Sequence, residues 1–301
     1  MELLKIPSSF EKVFGARQNL PEVVEFNGYK WIVGGDGGSY PIDVSDIINW
    51  YPLVVKDVLR RIGRENREES ISVSLPAEFY YEDVLSGKNA INRIAEVIIS
   101  ETGVKSVKVL PQGIIALHKL YVDGVLDENG TTLIIDGGFN TVNVAISKKD
   151  GNDYIIEYVK TYDNEIGIRN LLEKFFLPEI KQRYPEIVKN LQVLKEVFLT
   201  GEIDKGFKII DVSNEKKNAL VSYLETLLHR LTKDIESKGK RFNQFSVIGG
   251  LSYYIKGVEI DTNKKYFIPV ENGEFYTVMG MYEYTNSLSI DFGFGDIKVA
   301  Y

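Results

Sequence analysis

Short runs of β-branched or alternating apolar residues, each closed by Gly, Pro, Asn or Asp, predict strands near 3–6, 23–26, 30–34, 70–75, 106–110, 131–136, 142–147, 154–160, 245–249, 266–269, 287–291 and 296–301. Between them, apolar residues recur at steps of three and four. The clearest predicted helix covers 215–237, where Leu220, Leu224, Leu227, Leu228, Leu231 and Ile235 form one stripe. Ile91, Ile94, Ala95 and Ile98 form another. Ile47, Ile48, Val54, Val55, Val58 and Ile62 mark a third helix, which Pro52 is expected to kink or divide. Strands alternating with helices predict an α/β fold whose sheets are covered by helices and contain several parallel strands.

A length of 301 residues suggests about two domains. Apolar residues make up 44% and charged residues 26%, an ordinary globular mixture. The longest apolar runs fall far short of the ~18 residues that span a bilayer. The opening MELLKIPSSF has neither the basic end nor the apolar block of a secretion signal, and there is no cysteine, so a cytoplasmic location is expected. Lys and Arg total 36 against 43 Asp and Glu, a net charge of −7, the wrong sign for a surface that grips a phosphate backbone directly. With only His118 and His229 and no cysteine, a His-rich or Cys-based metal site is excluded; both histidines read as structural. The 18 Tyr and 15 Phe lack basic interleaving and read as core or interface. Glycine is mildly in excess, at 26, and the excess lies in a few tight turns.

One internal repeat organises these turns. Residues 290–301 read IDFGFGDIKVAY and residues 135–146 read IDGGFNTVNVAI, identical at six of twelve positions without a gap. In each copy an apolar strand ends in a carboxylate, Asp291 or Asp136, a glycine-rich turn follows, and an alternating strand runs back. Such a turn exposes successive backbone N–H groups that can cradle phosphate oxygens. The Asp at the strand end is placed to hold Mg²⁺ through its waters, because that small hard cation keeps most of its hydration shell. One copy alone could be an ordinary Asp-Gly hairpin. Two copies with the carboxylate at the same place favour a paired phosphate site.

These residues resemble the actin, heat-shock chaperone and sugar kinase superfamily, whose two-domain, ribonuclease H-like fold carries two phosphate hairpins. Asp291-Phe-Gly-Phe-Gly-Asp-Ile-Lys298 is similar to the first phosphate motif, Asp136-Gly-Gly-Phe-Asn-Thr141 to the second, and Val247-Ile-Gly-Gly-Leu-Ser252 to the adenosine motif. Leu110-Pro-Gln-Gly113, expected to open a helix, and Glu274-Phe-Tyr-Thr-Val-Met-Gly280 resemble the two inter-domain connections. Ser74-Leu-Pro76, Pro111-Gln-Gly113 and Gly167-Ile168 with Leu171-Leu172 point within the superfamily to ATPases of the ParM and archaeal actin-like type. The order departs from the family: the first phosphate motif normally opens the chain, and here it follows the second. Joining Tyr301 to Met1 restores the family order, so a circularly permuted fold is expected. Its first domain would comprise 1–128 and 276–301, and its second 129–275.

The resemblance assigns Asp136 and Asp291 to the Mg²⁺ shell. It assigns Gly293, Phe294, Gly295 and Lys298 on one side, and Gly137, Gly138, Phe139, Asn140 and Thr141 on the other, to the phosphates. Gly249, Gly250 and Leu251 would approach the nucleoside, and Lys195 and Glu196 the ribose. Gln112 would orient the attacking water, a task of positioning more than basicity. The implied function is an ATPase that binds and hydrolyses ATP (or GTP) with Mg²⁺ in an inter-domain cleft and forms homopolymeric filaments. Plasmid or DNA segregation, through a DNA-binding adaptor, or a cytoskeletal role would follow, with no direct nucleic-acid or membrane partner. A small-molecule kinase using the same motifs, or a nucleotide-stabilised scaffold with little hydrolysis, is the alternative.

Overall fold

The first and last strands of the chain pair with each other. Leu3–Pro7 runs antiparallel to Asp296–Ala300, and the pairing continues outward, with the Glu2 amide donating to the Tyr301 carbonyl at 2.8 Å and the Tyr301 amide donating back at 3.1 Å. The computed structural model describes residues 1–301 apart from 16, 18, 19, 36, 37, 66, 67, 152, 164, 165 and 186–189. Two units emerge: Met1–Val125 with Phe275–Tyr301, and Leu126–Glu274.

The sheet of the first unit has the order Leu3–Pro7, Asp296–Ala300, Leu288–Phe292, Ser70–Leu75, Ser106–Pro111. Its first two junctions are antiparallel and its last two parallel. Ile71, Val73, Leu75, Ile290 and Phe292, all buried, belong to the apolar cluster that includes Val54, Val55 and Val58 of helix Val44–Arg61. That helix starts where Asp43 accepts from the Asp46 amide at 3.0 Å, and it ends on Arg60 and Arg61, basic residues suited to the negative end of the helix dipole. It runs through Pro52 as one continuous helix, so of the expected kink or division the division does not occur. Pro52 lies in a buried stretch with Tyr51, Leu53, Val54 and Val55, where burial offsets the one backbone bond that proline forgoes. Asp57, fully buried, accepts from Arg60 at 2.7 Å and Arg61 at 2.6 Å, and Arg61 also donates to the carbonyl of Val33 in a small antiparallel sheet of Phe10–Lys12, Tyr29–Val33 and Val23–Phe26.

In the second unit the order is Lys265–Phe267, Gln244–Ile248, Thr132–Gly137, Thr141–Asp150, Asp153–Asp163, with the first two junctions parallel and the last two antiparallel. Helix Ser213–Ser237 buries Leu220, Leu224, Leu227, Leu231 and Ile235 as its periodicity predicts, and Leu228 is half-buried. The helical stretch Ile168–Asn170, Leu171–Phe176 and Leu177–Arg183, with a π turn in its middle, places Phe176 edge-on to Phe198 at 5.0 Å. Among the described residues, no helix is long and apolar enough to cross a membrane.

The two sheets share one plan. In each, the strand carrying the carboxylate is central, with two antiparallel strands on one side and two parallel strands on the other. Only the path of the chain differs. The second unit takes the carboxylate strand first and the two antiparallel strands on its one side next. The first unit begins on the outer antiparallel strand and reaches the carboxylate strand and its hairpin partner last. Phe10–Lys12, Glu202–Asp204 and Ile209–Asp211 are strands outside the predicted set; at three residues each, they are too short to show alternation.

Candidate functional site

Both repeated hairpins close on the same hydrogen bond. Gly293 N–H donates to the Asp296 carbonyl at 3.1 Å, and Gly138 N–H donates to the Thr141 carbonyl at 2.7 Å. Each turn is then held from outside by its carbonyls. In the first unit Ser8, fully buried just past strand Leu3–Pro7, donates its hydroxyl to the Gly293 carbonyl at 2.7 Å and its amide to the Gly295 carbonyl at 3.1 Å. In the second unit the amides of Ile168 and Arg169 donate to the carbonyls of Gly138 at 3.2 Å and Phe139 at 2.9 Å. Gly167 permits this approach, because a Cβ there would lie 2.6 Å from the Phe139 carbonyl oxygen. With these acceptors occupied, the donors are left over. Among the described residues, the amides of Phe294 and Gly295 in one turn, and of Phe139 and Asn140 in the other, have no hydrogen-bond partner, and the buried Asn140 Oδ1 has none either. Successive unpaired amides on a turn form a concavity suited to an anion.

The carboxylate beside the first turn is almost wholly buried: Asp291 is 2% exposed. A buried charge needs compensation, and here it is supplied unevenly. Asp291 Oδ1 accepts from Ser74 Oγ at 2.5 Å and from Gln112 Nε2 at 2.9 Å. Oδ2 faces Lys298 Nζ at 3.9 Å, across the Asp291–Lys298 register pair. The Tyr51 hydroxyl donates to the Ser74 carbonyl, and burial together with the charge of Asp291 raises its pKa. Oδ2 thus keeps acceptor capacity that fits one edge of a hydrated divalent cation. Among the described residues, no group of three or more His, Cys, Asp or Glu side chains is arranged to hold a bare ion.

Gln112 does not begin a helix as expected. Gln112–Ile115 form hydrogen-bonded turns, with Gly113 at φ +74°, and the helix starts only at Ala116–Val122. The left-handed backbone at Gly113 breaks the helical path, leaving the Gln112 amide on the Leu75 carbonyl at 2.8 Å and its side chain free to reach Asp291.

In the second unit Asp136 and Ile248 are register partners on adjacent parallel strands, so Gly249 abuts the carboxylate. A Cβ on Gly249, whose φ is +77°, would lie 2.3 Å from Asp136 Oδ1. A Cβ on Gly137 would lie equally close to the Cβ of Leu251. Asp136, Gly137, Gly249, Gly250 and Leu251 therefore converge. Leu251 opens the helix Leu251–Ile255, where the buried hydroxyl of Tyr254 also has no hydrogen-bond partner. Lys195 and Glu196 are not drawn in: both are exposed on helix Leu191–Thr200, and no side-chain hydrogen bond or ion pair ties them to the described turns. His118 is half-buried, its ring edge-on to Tyr284, and His229 is exposed.

Sequence reasoning missed the tasks of Ser8, Ser74 and Tyr51. Their partners are distant in the chain, and a serine in or beside a strand carries no local signal of what it will hold.

No protein-family model matches the chain, and a search of curated proteins finds no match. Solved structures do match. The archaeal actin homolog Ta0583 is 14% identical over 92% of this chain and 91% of its own, with a TM-score of 0.67, and it has also been solved in complex with ADP. ParM from Clostridium botulinum, in a 15-stranded filament, is 15% identical over 93% of this chain and 91% of its own, with a TM-score of 0.58. MreB5 of Spiroplasma citri bound to ADP is 14% identical over 87% and 80%, with a TM-score of 0.51. The fold is actin-like, of the ParM type.

Proposed function

We propose that this chain is an actin-like ATPase whose two carboxylate–glycine turns act on one ATP–Mg²⁺, and that it assembles into filaments in a nucleotide-dependent way. The observation that carries this reading is the duplicated turn with its carbonyls occupied and its amides unpaired. The family likeness adds support, since ADP accompanies two of the similar structures and a filament the third.

In this reading the amides of Phe294, Gly295, Phe139 and Asn140 receive the phosphate oxygens, and Lys298 offsets their charge. Asp291 Oδ2 and Asp136 hold the hydration shell of Mg²⁺, which when bound neutralises charge developing on the phosphates. Gln112 leaves Asp291 to orient water. The two units serve as the two domains of the fold, with the first permuted, and the biological use is cytoskeletal or the segregation of a plasmid or other DNA.

Phosphate release and sedimentation, each with and without ATP and Mg²⁺, test the proposal together. Turnover with polymer is expected. Turnover of a small hydroxyl compound without polymer would instead make the chain a kinase, and polymer without turnover would make it a scaffold.

A further inference from the structure

Resting on the ATPase reading, we infer that Ser74 is a positioning residue that sets which oxygen of Asp291 faces the cation. Strands Ser70–Leu75 and Leu288–Phe292 are parallel neighbours whose last register pair is Val73 with Ile290, and Ser74 and Asp291 are the residues that follow it on each strand. Ser74 is 1% exposed, and its hydroxyl donates to Asp291 Oδ1 at 2.5 Å. The Ser74 backbone is itself fixed by the Tyr51 hydroxyl, whose ring stands edge-on to Phe292 at 5.3 Å. A buried serine pinned at both its carbonyl and its hydroxyl has little freedom to turn away.

The second donor to Oδ1 is Gln112, and that bond cannot be permanent if Gln112 is to orient water. When it opens, a carboxylate held by Gln112 alone would rotate about its Cβ–Cγ bond and present either oxygen. The Ser74 bond keeps Oδ1 engaged, so Oδ2, with Lys298 at 3.9 Å, remains the oxygen on offer. Ser74 thereby separates two demands on one aspartate: fixed orientation toward the cation, and release of the glutamine.

The same junction supplies an internal control. Ser72 and Ser289, both fully buried, share a hydroxyl–hydroxyl bond of 2.7 Å two residues further from the turn and form no hydrogen bond to a carboxylate. If the serines merely satisfy one another in the core, Ser72→Ala and Ser74→Ala should behave alike.

The experiment measures the Mg²⁺ concentration that half-saturates phosphate release at fixed ATP, alongside melting without nucleotide, in the full-length chain. Losing a hydrogen bond to a charged group should raise the half-saturating Mg²⁺ in Ser74→Ala by about 10-fold. Ser74→Thr, which keeps the hydroxyl, should restore it, and Ser72→Ala should leave it at the parental value whatever it does to melting. An unchanged Mg²⁺ requirement in Ser74→Ala, or an equal rise in Ser72→Ala, overturns the assignment. Asp291→Asn is run in parallel. If it loses Mg²⁺-dependent turnover while Ser74→Ala behaves as the parent, the inference alone fails; if it keeps that turnover, the ATPase reading fails and takes the inference with it.

Discussion

Glu2 and Tyr301 exchange backbone hydrogen bonds of 2.8 and 3.1 Å, as two facing residues of a hairpin do, although they stand at opposite ends of the chain. In the second unit the equivalent pair of strands, Thr141–Asp150 and Asp153–Asp163, is consecutive in the chain, with Asp150 opposite Asp153. A chain in which an Asn-Gly turn links Tyr301 to Met1, and which opens instead between the exposed Asn286 and its neighbour Ser287, is therefore expected to fold. Its circular dichroism should match the parent and its melting temperature should fall within a few degrees. An aggregated or unfolded product would count against the proposed permutation.

Asp136→Asn and Asp291→Asn should each cut Mg²⁺-dependent phosphate release by roughly 100-fold or more, as expected when a charge that stabilises phosphoryl transfer is lost. Both should keep the parental circular dichroism. Full activity in either variant would remove that aspartate from the proposed cation shell.

Gly249→Ala separates crowding from backbone strain. Its Cβ would meet Asp136 Oδ1 at 2.3 Å in a left-handed backbone, so displacement of the carboxylate should weaken nucleotide binding at least ~10-fold and cost about 1–3 kcal/mol of stability. Gly257→Ala has a similar φ of +76° with nothing within 4 Å of the added atom. It should cost about 1 kcal/mol and leave binding alone. Nucleotide titration and denaturant unfolding of the pair provide the check.

Ser8→Ala removes the hydroxyl on the Gly293 carbonyl while leaving the Ser8 amide on Gly295. About 1 kcal/mol of stability should be lost. With one carbonyl released, the turn can reorient its amides, so the KM for ATP should rise several-fold more than kcat falls. A lower melting temperature with unchanged KM would make Ser8 purely structural.

Buried tyrosines should set the alkaline limb of stability. Burial raises the pKa of Tyr51 and of Tyr223, whose hydroxyl donates to the Ile166 carbonyl at 2.5 Å. A raised pKa in the folded state means that the unfolded chain loses its phenol proton first, at about pH 10. The stabilisation is complete below that pH and declines as pH rises above it. Denaturant midpoints should fall steadily from about pH 10 upward, and Tyr223→Phe should flatten the decline. An equally steep decline in that variant would place the titrating group elsewhere.

Much of the architecture is legible in the linear pattern. Leu133, Ile134 and Ile135 before Asp136, or Ser289 and Ile290 before Asp291, announce a buried strand ending in a carboxylate. Repetition of the motif anticipates that the two turns share a geometry, down to the bond that closes each. What holds the turns is not legible. Ser8 meets Gly293 across 285 residues and Ser74 meets Asp291 across 217, so neither partner lies within any window that local periodicity surveys. Gln112 departs from expectation for a different reason. A proline–glutamine–glycine run after a strand is compatible with a helix start, but the positive φ of Gly113 places turns over Gln112–Ile115 before the helix can begin.

The order of strands in the first unit also bears on how the protein is made. The second unit is one continuous stretch, Leu126–Glu274, so all of it is translated before the last strands of the first unit. The first unit cannot close its sheet then, because the central strand Leu288–Phe292 and its neighbour Asp296–Ala300 are translated after everything else they pair with. Until they arrive, Ser70–Leu75 and Leu3–Pro7 are left as unpaired edges, the exposed state that favours wrong partners and slow closure. The aspartate and glycines of the first turn come with those last strands. A nascent chain therefore holds the whole stretch of the second unit before it has a first turn, and the proposed nucleotide site, which needs both turns, is complete only once Asp296–Ala300 has emerged.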